Sequence, residues 1–294
     1  MSTAVTATPV AAAPHAARPL ARPQVARVGV VSYLNTLPLI AGLEKLANLH
    51  LHAEVPALLS GLLADGVVDL ALCSAVDYQR SAVPLQLVPV GMLGCCGRTH
   101  TVRLYARVPF AQVRTLAADQ ESHTSRALAQ VILRQRYGAA PTQVDYDRAH
   151  GPRRPDTDAM LLIGDKVVND APPDSEWAHQ LDLGQAWFDW TGLPFVFAGW
   201  FARADLDPQQ EARVRTAARV LDHQRRHNQE RLGQIVAQHA AQHGWPAPLA
   251  LEYLRSMLRF DFTPQAAQGL DRFFQECVNA GVCSTAQPVR TFAW

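Results

Sequence analysis

Four short polar runs hold the residues best suited to chemistry: Ser32-Tyr33-Leu34-Asn35-Thr36, Cys73-Ser74, Ser122-His123-Thr124-Ser125 and Gly164-Asp165. They offer hydroxyls, one phenol, one amide and one carboxylate. Most of these groups are neutral hydrogen-bond donors and acceptors, which orient a polar ligand better than they abstract a proton. Where such a run opens a helix, free backbone N–H groups and the positive dipole end add a cradle for a carboxylate or phosphate. A single serine or threonine before a helix is ordinarily only a cap. Four such turns in one chain point to an anion-binding cleft.

Other chemistries lack their residues. The chain has no GxSxG elbow, no HExxH, no GxxxxGK[ST] and no GxGxxG. Its five cysteines are Cys73, Cys95, Cys96, Cys277 and Cys283, without a CxxC pair. That pattern suits neither a zinc site nor a secreted disulfide framework, and the thiols read as reduced and partly buried. Cys95-Cys96, between Gly94 and Gly97, reads as a structural or hinge element. His223/His227 and His239/His243 each stand four residues apart, a spacing that puts a pair on one helix face. No acidic residue completes a ligand pattern, so these histidines read as a solvated face. Neither a metal nor a cofactor is expected.

The four runs must be held by regular elements. Arg27–Val31 and Val68–Cys73 are short apolar runs that read as buried strands, and Leu87–Met92 reads as a third. Pro38 opens an apolar-periodic stretch to Leu46, and Leu58–Ala64 is a second helical pattern. Strands thus alternate with helices, which predicts a mostly parallel sheet covered on both faces. Thr101–Tyr105 reads as a strand leaving this unit, and Val113–Ala117 starts another. Ser122 and its neighbours precede a helix through Leu128, Val131 and Ile132, and Met160–Ile163 is a buried strand ending at Gly164-Asp165. Ala140–Pro155 is polar and reads as an exposed connection. From Pro208 to His243 the texture is helical, with Asn228 expected to cap a second helix. Thr263 and Pro264 are expected to start another helix, which Gly281 ends. In open α/β sheets ligands bind beyond the carboxyl ends of strands, where all four polar runs lie.

The chain's 294 residues exceed one typical core and suit two lobes. Twenty-seven basic side chains balance 26 acidic ones, so no global field points to nucleic acid or to a membrane surface. No apolar run reaches the length of a membrane span. Residues 1–26, rich in Ala and Pro, lack the apolar core of a signal peptide and read as a disordered tail. A cytoplasmic location is the expectation.

Several stretches also resemble a known family. Val31-Ser32-Tyr33-Leu34-Asn35-Thr36-Leu37-Pro38-Leu39, Asp69-Leu70-Ala71-Leu72-Cys73-Ser74, Ser122-His123-Thr124-Ser125 and Leu162-Ile163-Gly164-Asp165 follow the order of motifs in the chorismate dehydratases of the futalosine route to menaquinone. Asp182-Leu183-Gly184, Trp187, Thr191-Gly192-Leu193-Pro194-Phe195-Val196-Phe197-Ala198 and Trp200 complete the resemblance, which spans roughly residues 27 to 201. At one place the chain departs. Where the family pattern has Gly followed by Ser-Val, this chain has Gly97-Arg98-Thr99-His100-Thr101-Val102, so Thr101 keeps the hydroxyl and adds a methyl.

The resemblance implies an α/β, two-lobed fold like that of type 2 periplasmic binding proteins, with a helical C-terminal part. One lobe would comprise 27–105 plus 200–294 and the other 106–199, joined by crossings near Gly97–Ala106 and Pro194–Ala202. It implies a lyase that converts chorismate, a small dicarboxylate, to 3-[(1-carboxyvinyl)oxy]benzoate and water. Asn35, Thr101 and Asp165 would then be catalytic, and Ser32, Tyr33, Asn35, Ser74, Thr101, Ser122, Thr124 and Ser125 would bind substrate. The base is either a substrate carboxylate or Asp165, and Asp165 could instead brace its turn. The competing readings are a non-catalytic solute-binding protein of the same fold and the sister 1,4-dihydroxy-6-naphthoate synthase. The sequence leaves the oligomeric state open.

Overall fold

The computed structural model describes residues 25–146 and 155–294. Residues 1–24 of the expected tail and the middle of the expected Ala140–Pro155 connection lie outside them. Strand β1 (Ala26–Val30) begins the described chain. A 3-10 turn at Leu34–Thr36 and helix α1 (Leu37–Ile40) follow. The expected helix to Leu46 is broken. The chain leaves α1 at Ala41, turns through Gly42 at φ +86°, and re-forms only a 3-10 turn at Leu43–Lys45. Gly42 occupies a left-handed conformation that glycine adopts without a side-chain clash, and this overrides the apolar period.

Strand β2 (Leu49–Ala53), helix α2 (Pro56–Ala64), strand β3 (Leu70–Ser74), helix α3 (Asp77–Arg80) and strand β4 (Leu85–Cys95) continue the first unit. All five residues of β3 are buried, and the apolar run Leu70–Cys73 suits a central strand covered on both faces. The second unit holds β5 (Val102–Ala106), β6 (Thr115–Asp119), α4 (His123–Tyr137), β7 (Thr142–Tyr146), β8 (Ala159–Ile163), α5 (Asp165–Asn169), β9 (His179–Asp182) and α6 (Leu183–Thr191). Strand β10 (Phe195–Arg203) then returns to the first sheet.

Two sheets result. The first has the order β11-β4-β10-β3-β1-β2, and the second β7-β6-β8-β5-β9, with β11 (Leu258–Arg259) contributed late in the chain. The sheets are mixed rather than mostly parallel. β1 runs parallel to β2 and β3, but β10 runs antiparallel to β3 and β4. In the second sheet β6 runs parallel to β7 and β8, whereas β5 is antiparallel to β8 and β9. The antiparallel strands β5 and β10 are the ones that carry the chain from one sheet to the other, and that reversal is invisible in the local apolar pattern.

After β10 the chain is helical, through α7 (Pro208–Gln229), α8 (Leu232–His239), α9 (Ala247–Glu252) and α10 (Pro264–Asn279). Asp207 and Gln210 form a reciprocal cap at the start of α7. Asn228 does not cap α8. It lies within α7, buried, and its amide donates to the Ala41 carbonyl at 2.9 Å. Thr263 caps α10 as expected, accepting from the Ala266 N–H at 3.2 Å. Gly269 brings α10 onto the return crossing, since a Cβ there would stand 2.1 Å from the Pro194 carbonyl.

Candidate active site

A cavity of about 120 Å³, partly open to solvent, lies between the two sheets. It sits beyond the carboxyl ends of β1, β3, β6 and β8. Tyr33, Asn35, Ser74, Thr101, Ser122, Ser125 and Asp165 all line it. Two expected residues do not. Ser32 is exposed outside the wall. Thr124 is fully buried, and its hydroxyl accepts the Val76 N–H at 3.1 Å, so it ties α4 to the loop after β3. Ser122 is the N-cap of α4, accepting from the Ser125 N–H at 3.2 Å, and the two hydroxyls stand 3.0 Å apart.

The wall also carries charged residues outside the expected set, Glu121 and Lys166. The Tyr33 phenol donates to Glu121 Oε2 at 2.6 Å, which joins the first sheet's turn to the second sheet's. Lys166 Nζ stands 3.1 Å from Glu121 Oε1 and donates to Asp119 Oδ2 at 2.7 Å. Burial works against the Lys166 charge, but Asp119 and Glu121 hold its pKa above the usual lysine value. For Asp119 the balance is opposite: burial pushes its carboxyl up and Lys166 only partly pulls it back. Burial, and then the bond to Glu121, push the Tyr33 phenol above its ordinary range. Glu121 abuts Ser122, and Lys166 abuts Gly164-Asp165. Their place beside recognised turns was the available signal, but a charged residue at a turn reads equally well as solvated.

Asp165 faces the cavity with both oxygens engaged. Oδ1 accepts from the Trp245 indole at 2.7 Å, and Oδ2 lies 3.1 Å from His243 Nδ1. His243 is therefore not on a solvated face. Its side chain is 16% exposed and pairs across to α5. Nothing in a four-residue histidine spacing reveals a partner so distant in sequence.

Thr101 is held from both sides. Its backbone N–H donates to the Thr99 carbonyl at 2.7 Å around His100, which adopts φ +64°. That three-residue turn is strained for a non-glycine residue. Asp182 keeps it in place, accepting from the Thr99 N–H at 3.1 Å and the His100 N–H at 2.7 Å while it caps α6. The Thr101 hydroxyl lies 2.6 Å from the Tyr253 hydroxyl. Burial pushes the Tyr253 pKa up. Asn35 Oδ1 is buried without a hydrogen-bond partner. Tyr253 lies in the helical region that carries no family motif, so nothing in the sequence singles it out.

The arrangement offers one ammonium, the start of a 15-residue helix and several neutral hydroxyl and amide groups. It can grip carboxylates and orient a hydroxylated ring between them. Among the described residues, no group of three or more His, Cys, Asp or Glu forms a metal ligand set, and no helix is long and apolar enough to cross a membrane.

A family described as menaquinone biosynthesis matches residues 26–279. A Thermus thermophilus protein named chorismate dehydratase is 32% identical over 268 residues, 86% of this chain and 94% of that one. The alkanesulfonate-binding protein of Xanthomonas axonopodis pv. citri, solved bound to MOPS, superposes with a TM-score of 0.67 at 14% identity, covering 92% of this chain and 98% of that one. A Candida albicans protein described as having the generic periplasmic binding protein fold gives 0.62 at 11% identity, with the same coverage. These likenesses establish the two-lobed periplasmic-binding-protein-like fold, with its helical C-terminal part.

Proposed function

The chain belongs to the menaquinone biosynthesis family, and from that premise we propose that it is a chorismate dehydratase. In this reading it is a cytoplasmic hydro-lyase of the futalosine route, which converts chorismate to 3-[(1-carboxyvinyl)oxy]benzoate and water. The observation that carries the reading is the 32% identity to the Thermus protein over 94% of that protein's length. The cavity supports it, because its wall is built from the same turns that carry the family's motifs.

The reaction breaks a ring C–H bond beside the ether and the neighbouring C–OH bond, and the released proton and hydroxide make water. Aromatisation drives it, so the protein's task is chiefly orientation. Lys166 and the start of α4, with Ser122 and Ser125, would hold carboxylate. Asn35 and Thr101 would orient the ring hydroxyl, and Tyr33 and Ser74 would complete the wall. A carboxylate of the substrate itself would take the proton. The two bonds that Asp165 already makes to Trp245 and His243 favour a bracing role for it.

The direct test is to incubate the purified protein with chorismate and follow absorbance as an aromatic product forms. Turnover supports the reading. Tight binding without turnover would instead make the chain a solute-binding protein of this fold.

A further inference from the structure

We infer that Asp182 is a positioning residue, which holds the turn before β5 in the shape that presents Thr101 to the substrate. The inference rests on the dehydratase reading. Asp182 closes β9 and caps α6, and the strand register sets it beside Arg103, two residues past Thr101. It does not itself line the cavity. Its carboxylate takes three backbone N–H groups. Oδ1 accepts from Thr99 at 3.1 Å and from Gln185 at 3.0 Å, and Oδ2 accepts from His100 at 2.7 Å. Gly184 lets the first turn of α6 come this close, since a Cβ there would stand 2.8 Å from the Gly97 carbonyl.

A helix cap uses one side-chain oxygen. Here the second oxygen, Oδ2, serves the turn. That turn resists its own shape, because His100 at φ +64° is the one non-glycine residue at positive φ among the described residues, a conformation in which the side chain crowds the backbone. Thr99 is 1% exposed and Thr101 2%, so water cannot readily replace the carboxylate at the Thr99 N–H. Without Asp182 the turn relaxes toward negative φ at His100 and carries Thr101 with it. The Thr101 carbonyl also accepts from the Gly164 N–H at 2.8 Å, so one carboxylate outside the cavity steadies two of the turns that form its wall. Lys166 and the start of α4, which would grip the substrate's carboxylates, are not part of this turn. Loss of the Asp182 contacts therefore misplaces Thr101 and leaves the carboxylate grip intact.

The test compares kcat and KM for chorismate in Asp182→Ser, Asp182→Asn and the Asp182→Ser/His100→Gly double variant. Serine and asparagine both keep a capping oxygen for α6, so the fold should survive, but neither offers the turn a second oxygen. Misorientation predicts a fall in kcat of about 10–100-fold with KM changed by less than about threefold. Glycine reaches positive φ without the side-chain clash, so His100→Gly should recover about fivefold of the kcat lost in Asp182→Ser. In the wild-type background, where the turn is already held, it should not raise kcat. A cap alone would lower thermal stability, leave kcat within about twofold of wild type and gain nothing from His100→Gly; that result would overturn the inference, as would a loss carried by KM. A second readout does not need turnover. Amide exchange followed by NMR should find the His100 N–H protected in the wild type and about tenfold or more faster in Asp182→Ser. If that N–H exchanges freely in the wild type, or as slowly in the variant, the inference fails even where chorismate is converted. If chorismate is not converted but exchange behaves as described, it is the dehydratase reading that fails.

Discussion

Lys166 is the one basic side chain among the described residues of the cavity wall, and it is shared between Asp119 and Glu121. A dicarboxylate entering this space competes with Glu121 for the ammonium. Lys166→Gln keeps a donor near Asp119 and removes the charge. A hydrogen bond to a charged group is worth about 1.5–3 kcal/mol, so KM for chorismate should rise about tenfold or more, with kcat less affected. Steady-state kinetics decides this, and an unchanged KM would remove Lys166 from the binding site. Asp165→Asn probes the opposite question. An asparagine oxygen still accepts from the Trp245 indole, so the variant should keep most of the wild-type kcat and lose a little thermal stability. A folded, ligand-binding but inactive Asp165→Asn would make Asp165 the base. At this scale the sequence disclosed the polar turns because hydroxyls and amides after apolar runs stand out. It hid Lys166, Glu121 and Tyr253, whose roles come from partners brought together only by folding.

Among the elements, the strands that end at the site were legible, since β3 and β8 are fully buried runs with no polar interruption. The short helix after β1 was not, because one glycine at positive φ outweighs four apolar residues in register. Asp69 shows a motif residue with a structural task. It lies just before β3 and accepts from the Arg27 backbone and side chain on β1 and from Arg213 on α7. Burial raises its pKa, but these bonds outweigh burial and hold it below the ordinary value of 3.8. A depressed carboxylate contributes stability that is present above the unfolded pKa and lost as pH falls through the folded one. Asp69→Asn should therefore cost about 1.5–3 kcal/mol at neutral pH, nearer the lower figure because Arg27 is partly exposed. The gap to wild type should close as pH falls below 3.8. Denaturant titrations at several pH values would show it, and a gap that widens in acid would contradict the assignment.

Across the whole molecule, contacts join the two sheets at several points besides the crossings. Trp187 of α6 meets Phe195 of β10 at 5.3 Å and Phe273 of α10 at 6.0 Å, both edge to face. His123 on α4 lies 2.7 Å from Asp77 on α3, and Thr124 takes the Val76 N–H. Thr124→Val should leave that buried N–H unpaired and lower stability by about 1–3 kcal/mol, with KM for chorismate close to wild type. A large rise in KM without loss of stability would return Thr124 to the ligand site. The family's order of motifs made the two-unit plan readable from sequence, whereas the seam between the units depends on side chains scattered from Tyr33 to Phe273. Proton NMR of chorismate mixed with the protein reports what happens in the cavity at that seam. The cyclohexadiene ring signals should give way to those of a meta-substituted benzoate while the enolpyruvyl methylene protons persist, if the chain is a chorismate dehydratase. An unchanged spectrum, or release of pyruvate with loss of those methylene signals, would contradict it.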